Sequence, residues 1–128
     1  MNSLVRGLTW PVITLLVIGA THLIAEAARP ALQDLINTAV VMPIHLVAGG
    51  WAAYATMRAG GTWVHGLVAG ALLGLLPLVL QVVGFGLILG RDADATLTLG
   101  IFGLFTIFWG GALGAGIVAA RAPGPAAA

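Results

Sequence analysis

The chain has 128 residues, of which 60% are hydrophobic and only 7% are charged, and its formal net charge is +1. Soluble domains carry about 25% charged residues, so five basic and four acidic side chains are too few to cover a water-soluble globule of this size. The lack of cysteine and of any basic cluster excludes a disulfide scaffold, a thiolate metal site and a nucleic-acid partner. The composition predicts one domain embedded in the lipid bilayer.

Four apolar stretches divide the chain, and each is long enough to cross a hydrocarbon core, which takes about 20 residues. The predicted spans cover about residues 8–28, 33–57, 63–90 and 96–120. Polar breaks separate them at Arg29-Pro30, at Gly60-Gly61 and at residues 91–94. Because short loops join antiparallel neighbours, the sequence predicts an all-α integral membrane fold, an antiparallel four-helix bundle within residues 1–121. Residues 122–128 form a predicted flexible Ala/Pro tail.

The charged residues predict the orientation of the spans. Three arginines fall on the side of the two termini: Arg6, Arg58 and Arg121. The other side carries two arginines and all four acids: Arg29, Arg91, Glu26, Asp34, Asp92 and Asp94. Because cytoplasmic loops carry the excess of basic residues, we expect both termini in the cytoplasm. A chain rich in Ala, Gly and Arg without Lys is typical of GC-rich bacteria, so we expect the inner membrane.

The first span has an alternative interpretation as a secretory signal. Arg6, the apolar run after it and the small-x-small pattern Ala25-Glu26-Ala27 match the three regions of such a signal, and cleavage would leave a chain that begins near Ala28. The apolar run continues through Ile24, which favours a helix that is not cleaved.

Glycines mark the helix faces that we expect to pack closely. Gly66, Gly70 and Gly74 follow one another at intervals of four in the third span, and Gln81 falls on the same face. Three glycines share one face of the fourth span: Gly103, Gly110 and Gly114. Small residues at such spacings let helix backbones approach closely. We expect packing within the bundle, and the alternative is oligomerisation through the third span.

Polar residues inside the spans are the best functional indication, because unpaired polar groups are costly in lipid. They form stripes on the first two spans, which we expect to face each other. The candidates for a ligand or ion path are His22, Glu26, Asp34, Asn37, Thr38 and His45. The structural interpretation of Glu26, Arg29 and Asp34 is an interfacial ion cluster that ends a hairpin. The functional interpretation is an entry site for a cation or proton.

His45 lies near the predicted midplane, two residues after Pro43. Proline removes an amide donor, so it frees the carbonyl of Ala39 one turn earlier and predicts a kink. Pro77 in the third span lies at a comparable depth and is the candidate for the other wall of a pocket. The structural interpretation of His45 is a neutral core side chain held by a hydrogen bond.

Catalytic and cofactor-binding motifs are missing. The sequence has no metalloprotease, nucleophile-elbow or phosphate-loop motif, so we expect neither an enzyme, nor a metal site, nor a resident cofactor. His22, His45 and His65 differ in predicted depth by about 10 Å steps at 1.5 Å per residue, which disfavours two axial histidines on one haem. A single axial histidine, completed by another subunit, stays open.

Three functions compete on this basis. The first is a non-catalytic structural, accessory or assembly subunit of a larger membrane complex, with protein partners or further copies of itself in the bilayer. The second is a small oligomeric transporter or channel whose polar path runs between the first two spans. The third is a membrane subunit that carries haem or a pigment.

Overall fold

The computed structural model describes residues 2–122, and for residues 32–34 it describes the backbone alone. Four helices are long and apolar enough to cross a membrane: Asn2–Ala28, Asn37–Arg58, Trp63–Ile88 and Ala93–Arg121. We call them spans 1 to 4. The described residues contain no β-strand, and the predicted all-α four-helix bundle is confirmed. Of the predicted tail, residues 123–128 lie outside the described part of the chain.

The first two spans differ little from the predicted ones. Span 1 begins at Asn2 instead of near residue 8, because Gly7 packs directly against Thr56 of span 2 and holds the first turns in the bundle. A 3-10 turn, Pro30–Leu32, and one α-helical turn, Gln33–Ile36, join span 1 to span 2. The helical turns that lead into span 2 therefore begin at residue 33, where the sequence predicted the second span to start.

Two tight connections follow, and each uses a glycine with a positive φ that other residues rarely adopt. Gly60 has φ 94° between spans 2 and 3, and Gly90 has φ 65° between spans 3 and 4. Span 4 begins a few residues before the predicted start because Asp92 caps it: the Ala95 N–H donates to Asp92 Oδ2 at 2.9 Å. Consecutive spans are thus antiparallel neighbours.

Spans 2 and 3 each contain a proline close to a stretch of wide, π-type turns. In span 2 the wide turns cover Asn37–Val41, directly before Pro43. In span 3 they cover Leu80–Ile88, after Pro77. Proline lacks the N–H that would continue the α-helical ladder, and π-type turns are frequent at functional sites. The wide turns lie where the sequence predicts a kink, directly before Pro43.

The bundle has two sides that differ in packing. We call the side with Asn2, the 59–62 connection and Arg121 the terminal side, and the opposite one the far side. Spans 2 and 3 lie in the middle, where span 1 packs on one flank of the pair and span 4 on the other. The wide turns of both central spans lie in the far half.

Glycines bring the spans together as closely as backbones allow. Span 4 covers the glycine face of span 3: a Cβ atom on Gly70 would lie 3.1 Å from the Gly111 Cα, and one on Gly74 would lie 2.9 Å from the Leu104 carbonyl oxygen. Gly66 faces Ala115 in the same way. The alternative of oligomerisation through this face is wrong, because the chain itself fills the face.

The glycines of span 4 face the two central spans. A Cβ atom on Gly103 would lie 2.8 Å from the Pro77 Cβ in span 3. On the span 2 side, Gly110 faces the Leu46 backbone and Gly114 faces Gly50. The terminal half is closed further by small and apolar side chains, and the buried core consists of Leu15, Ala48, Ala52, Ala69, Leu73 and Ile107.

Candidate functional site

The most deeply buried ionisable side chains lie on adjacent turns of span 1. His22 is 6% exposed and Glu26 is 0% exposed, and 3.9 Å separates His22 Nε2 from Glu26 Oε2. The His22 ring packs against Phe85 of span 3, with 5.0 Å between the ring centroids. Phe85 belongs to the wide turns of span 3, so this segment and span 1 together hold the histidine in place.

A cavity of about 50 Å³ lies between spans 1, 2 and 3. Its polar lining consists of His22, His45 and Gln81, and the rest is apolar. One water molecule needs about 10–15 Å³ of such space, so the cavity has room for a few water-sized groups. Among the described residues, His22 Nε2 and Gln81 Oε1 are buried without a hydrogen-bond partner.

A larger cavity, about 240 Å³, lies between spans 2, 3 and 4. Asn37 and Thr38, at the far end of span 2, line it together with Phe102 of span 4. The two cavities share one wall, which consists of Val41, His45, Pro77 and Gln81. Polar side chains therefore follow one another from the far end of span 2, through this wall, to His22.

Three residues shape the wall between the two cavities: Pro43, Pro77 and Gly103. The wide turns beside Pro43 and Pro77 open the central spans at this level, and the lack of a side chain at Gly103 lets span 4 approach them. A Cβ atom there would lie 3.3 Å from His45 Cε1. Pro77 lines both cavities and therefore provides the opposite wall that its depth in the sequence indicates.

The predicted polar stripes come together only in part. His22, Asn37, Thr38 and His45 line the two cavities, and Glu26 lies beside His22. Arg29 is exposed at the end of span 1 whereas Glu26 is turned into the bundle. The side chain of Asp34 lies outside the described residues, so its part in the predicted ion cluster stays a prediction. Thr21 is exposed and donates to the Val17 carbonyl of its own helix (2.8 Å).

The third histidine has a local structural role. His65 Nδ1 accepts a hydrogen bond from the Thr62 N–H at 3.1 Å and lies 2.8 Å from the Thr62 hydroxyl oxygen, which together form a capping box at the start of span 3. It does not line either of the two polar cavities. Of the three histidines, His22 and His45 are therefore the two that line the polar cavities.

Gln81 is the residue that sequence reasoning undervalued. Its place on the glycine face of the third span predicted helix packing, yet its amide lines both cavities and is 6% exposed. The signal was a lone amide in a strongly apolar helix, four residues after a proline. Such groups are expensive in lipid and usually serve a function.

The residues around the two polar cavities do not form a cluster of metal ligands. Within the described part of the chain, no three His, Asp or Glu side chains lie close enough together to hold a metal ion. Pockets for drug-sized ligands typically enclose about 300–1,000 Å³, more than either cavity beside His45. No protein-family model, curated protein or solved structure matches the chain, so its function has to be inferred from these residues.

Proposed function

We propose that this chain is a small membrane transporter or channel that admits a small polar solute to a site inside the bilayer. The observation that carries the proposal is the group of His22, His45 and Gln81 around two neighbouring cavities that share a wall. Uncompensated polar groups are expensive at this depth, and such residues usually mark a substrate or ion path. A solute that makes hydrogen bonds with them compensates this cost.

One-sided access, from the far side, is part of this proposal and favours a carrier over an open pore. The larger cavity reaches Asn37 at the far end of span 2, whereas the terminal half is closed by backbone contacts such as Gly49 against Gly111. In a carrier the two halves open in turn around a fixed site. The widened central spans are the elements suited to such a rearrangement.

We further propose that the protein resides in a bacterial inner membrane with its terminal side in the cytoplasm. Arg6, Arg58 and Arg121 lie on that side, and all three are exposed. Exposed arginines without acidic neighbours are typical of cytoplasmic loops.

Solute entry into proteoliposomes tests the transport proposal. Stopped-flow light scattering follows formamide, urea and glycerol, and a trapped pH dye follows protons and ammonium. We expect at least one of these solutes to enter faster than it enters protein-free liposomes, and His45→Ala to remove the difference. His65→Gln is the matched control, because His65 caps a helix away from the two polar cavities and Gln also serves in capping boxes. Rates equal to those of protein-free liposomes for the whole panel would overturn the proposal.

The second candidate is the accessory subunit, and one observation favours it. Phe102, Phe105 and Trp109 form an exposed aromatic ridge on span 4, each more than half exposed. Such a ridge suits a protein partner within the bilayer as well as lipid. Native mass spectrometry of the chain extracted at its natural expression level tests it. A larger assembly that Trp109→Ala dissociates, in a chain that transports no solute, would support the accessory role.

A further inference from the structure

The polar atoms around the smaller cavity indicate what kind of solute fits. Gln81 Oε1 can only accept hydrogen bonds, and among the described residues it has no donor although the side chain is 94% buried. His22 Nε2 also lines this space without a hydrogen bond, because 3.9 Å to Glu26 Oε2 is too long for one. A solute that donates hydrogen bonds satisfies the amide oxygen, which water-sized groups can reach.

The charge of the surroundings favours a cation. Glu26, an acidic side chain, is fully buried one turn from His22, which lines the smaller cavity, and neither polar cavity is lined by arginine. A carboxylate in a medium of low dielectric constant attracts positive charge far more strongly than it does in water. His22 and His45 are the ionisable groups that face the cavity from spans 1 and 2, and span 3 contributes the neutral Gln81.

Size and geometry narrow the choice of cation. A cavity of about 50 Å³ has room for about three to five water-sized atoms, at about 10–15 Å³ for each water-sized probe. Alkali and alkaline-earth cations require a shell of several oxygen ligands, whereas this lining offers one amide oxygen and two imidazoles. An ammonium group, in contrast, is satisfied by a few directed acceptors.

We infer that the cavity between His22, His45 and Gln81 binds a small hydrogen-bond-donating cation, of the class of ammonium and methylammonium. The inference rests on the proposed transport function and names the solute class for the same site. The larger cavity is then the vestibule, and Asn37 and Thr38 are the first polar groups that the cation meets.

Binding of radiolabelled methylammonium to the protein in lipid nanodiscs tests this inference. We expect ammonium to displace the label, and potassium and tetramethylammonium to leave it bound, because neither potassium nor tetramethylammonium donates a hydrogen bond. Gln81→Leu removes the acceptor at nearly constant size and is expected to weaken binding by about tenfold, as the loss of one hydrogen bond does. Gln81→Glu keeps an acceptor oxygen and should bind at least as tightly as the wild type.

Thr106→Val is the matched control, because the Thr106 hydroxyl donates to the Phe102 carbonyl of its own helix and lines neither polar cavity. Displacement by potassium as effective as by ammonium, or unchanged binding in Gln81→Leu, would overturn the inference. If methylammonium does not bind while another solute enters proteoliposomes through a His45-dependent path, the inference falls and the transport function stands. If no solute of the panel enters either, both fall.

Discussion

Individual polar residues carry the functional information in this chain, since almost everything around them is apolar. His22, His45 and Gln81 come from three different spans and meet at two cavities with a common wall. Sequence reasoning identified the two histidines because polar groups in apolar helices are rare and expensive. It did not identify Gln81 as a third polar residue of the cavity lining, since the side to which Gln81 points depends on the wide turns beside it, and apolar periodicity does not show such turns.

His45 offers the sharpest test at this scale. We expect His45→Ala to remove solute entry while the protein still inserts and elutes as a single species, because the change removes a polar side chain that lines both cavities and leaves the glycine contacts intact. His45→Gln should retain entry, since an amide keeps hydrogen-bonding capacity but does not titrate near neutral pH. Stopped-flow rates of solute entry for the two variants, compared with the His65→Gln control, show whether His45 is needed for entry. Loss of entry in the well-folded Gln variant would mean that His45 has to take up a proton.

Thr62 provides a stability prediction independent of the site. Thr62→Ala removes the hydroxyl that shares a capping box with His65, and the loss of such a cap costs about 0.5–2 kcal/mol. We expect a lower unfolding temperature in detergent, with no change in solute entry. Thr98→Ala, at an exposed position on span 4, is the control and should unfold at the wild-type temperature. Equal temperatures for both variants would show that the capping box contributes nothing.

The helices are the level at which the sequence was most informative. The apolar stretches and the Gly/Pro breaks predicted all four spans, and the spacing of Gly66, Gly70 and Gly74 predicted the close-packed face of span 3. The partner of that face was not predictable, because spacing on one helix does not say which neighbour covers it. The residue of span 4 that contacts Gly70 is Gly111. It lies next to Gly110, one of the glycines that the sequence predicted to pack closely.

Gly70→Leu tests this packing. A Cβ atom at this position already lies 3.1 Å from the Gly111 Cα, so a leucine side chain has to push spans 3 and 4 apart. Overpacking of this kind typically costs about 1–3 kcal/mol, and we expect a lower unfolding temperature or aggregation in detergent. Gly116→Leu is the matched control, because no atom lies within 4 Å of a Cβ there. Similar behaviour of the two variants would contradict the close contact between spans 3 and 4.

At the scale of the whole molecule, the two halves of the bundle differ in composition. Glycine and alanine contacts such as Gly49 against Gly111 lie in the terminal half, whereas the wide turns and the polar cavity linings lie in the far half. The sequence predicted the antiparallel order but not this asymmetry, which arises when wide turns in two neighbouring spans coincide in depth. The exposed arginines of the terminal side complete the asymmetry.

A topology prediction belongs to this scale. We expect a phosphatase reporter that is active only in the periplasm to give no signal when fused to either end of the chain, because the arginine bias orients both ends toward the cytoplasm. A fusion after Asp92, in the far-side connection, should be active. Periplasmic activity at either end, from a chain that inserts normally, would contradict this orientation.

We propose that the polar cluster is reached from the far side of the bundle and is closed from the terminal side. The chain contains no cysteine, so single-cysteine variants report access without background. The three variants are Thr38→Cys, Gln81→Cys and Leu73→Cys. Aminoethyl methanethiosulfonate is added to one side of oriented proteoliposomes, and free cysteine trapped on the other side quenches any reagent that crosses the bilayer. The measured quantity is the rate at which the reagent modifies each cysteine. We predict reaction of the first two from the far side only, and no reaction of Leu73→Cys, whose position is 1% exposed. An unreactive Gln81→Cys, or its modification from the terminal side, would contradict the claim.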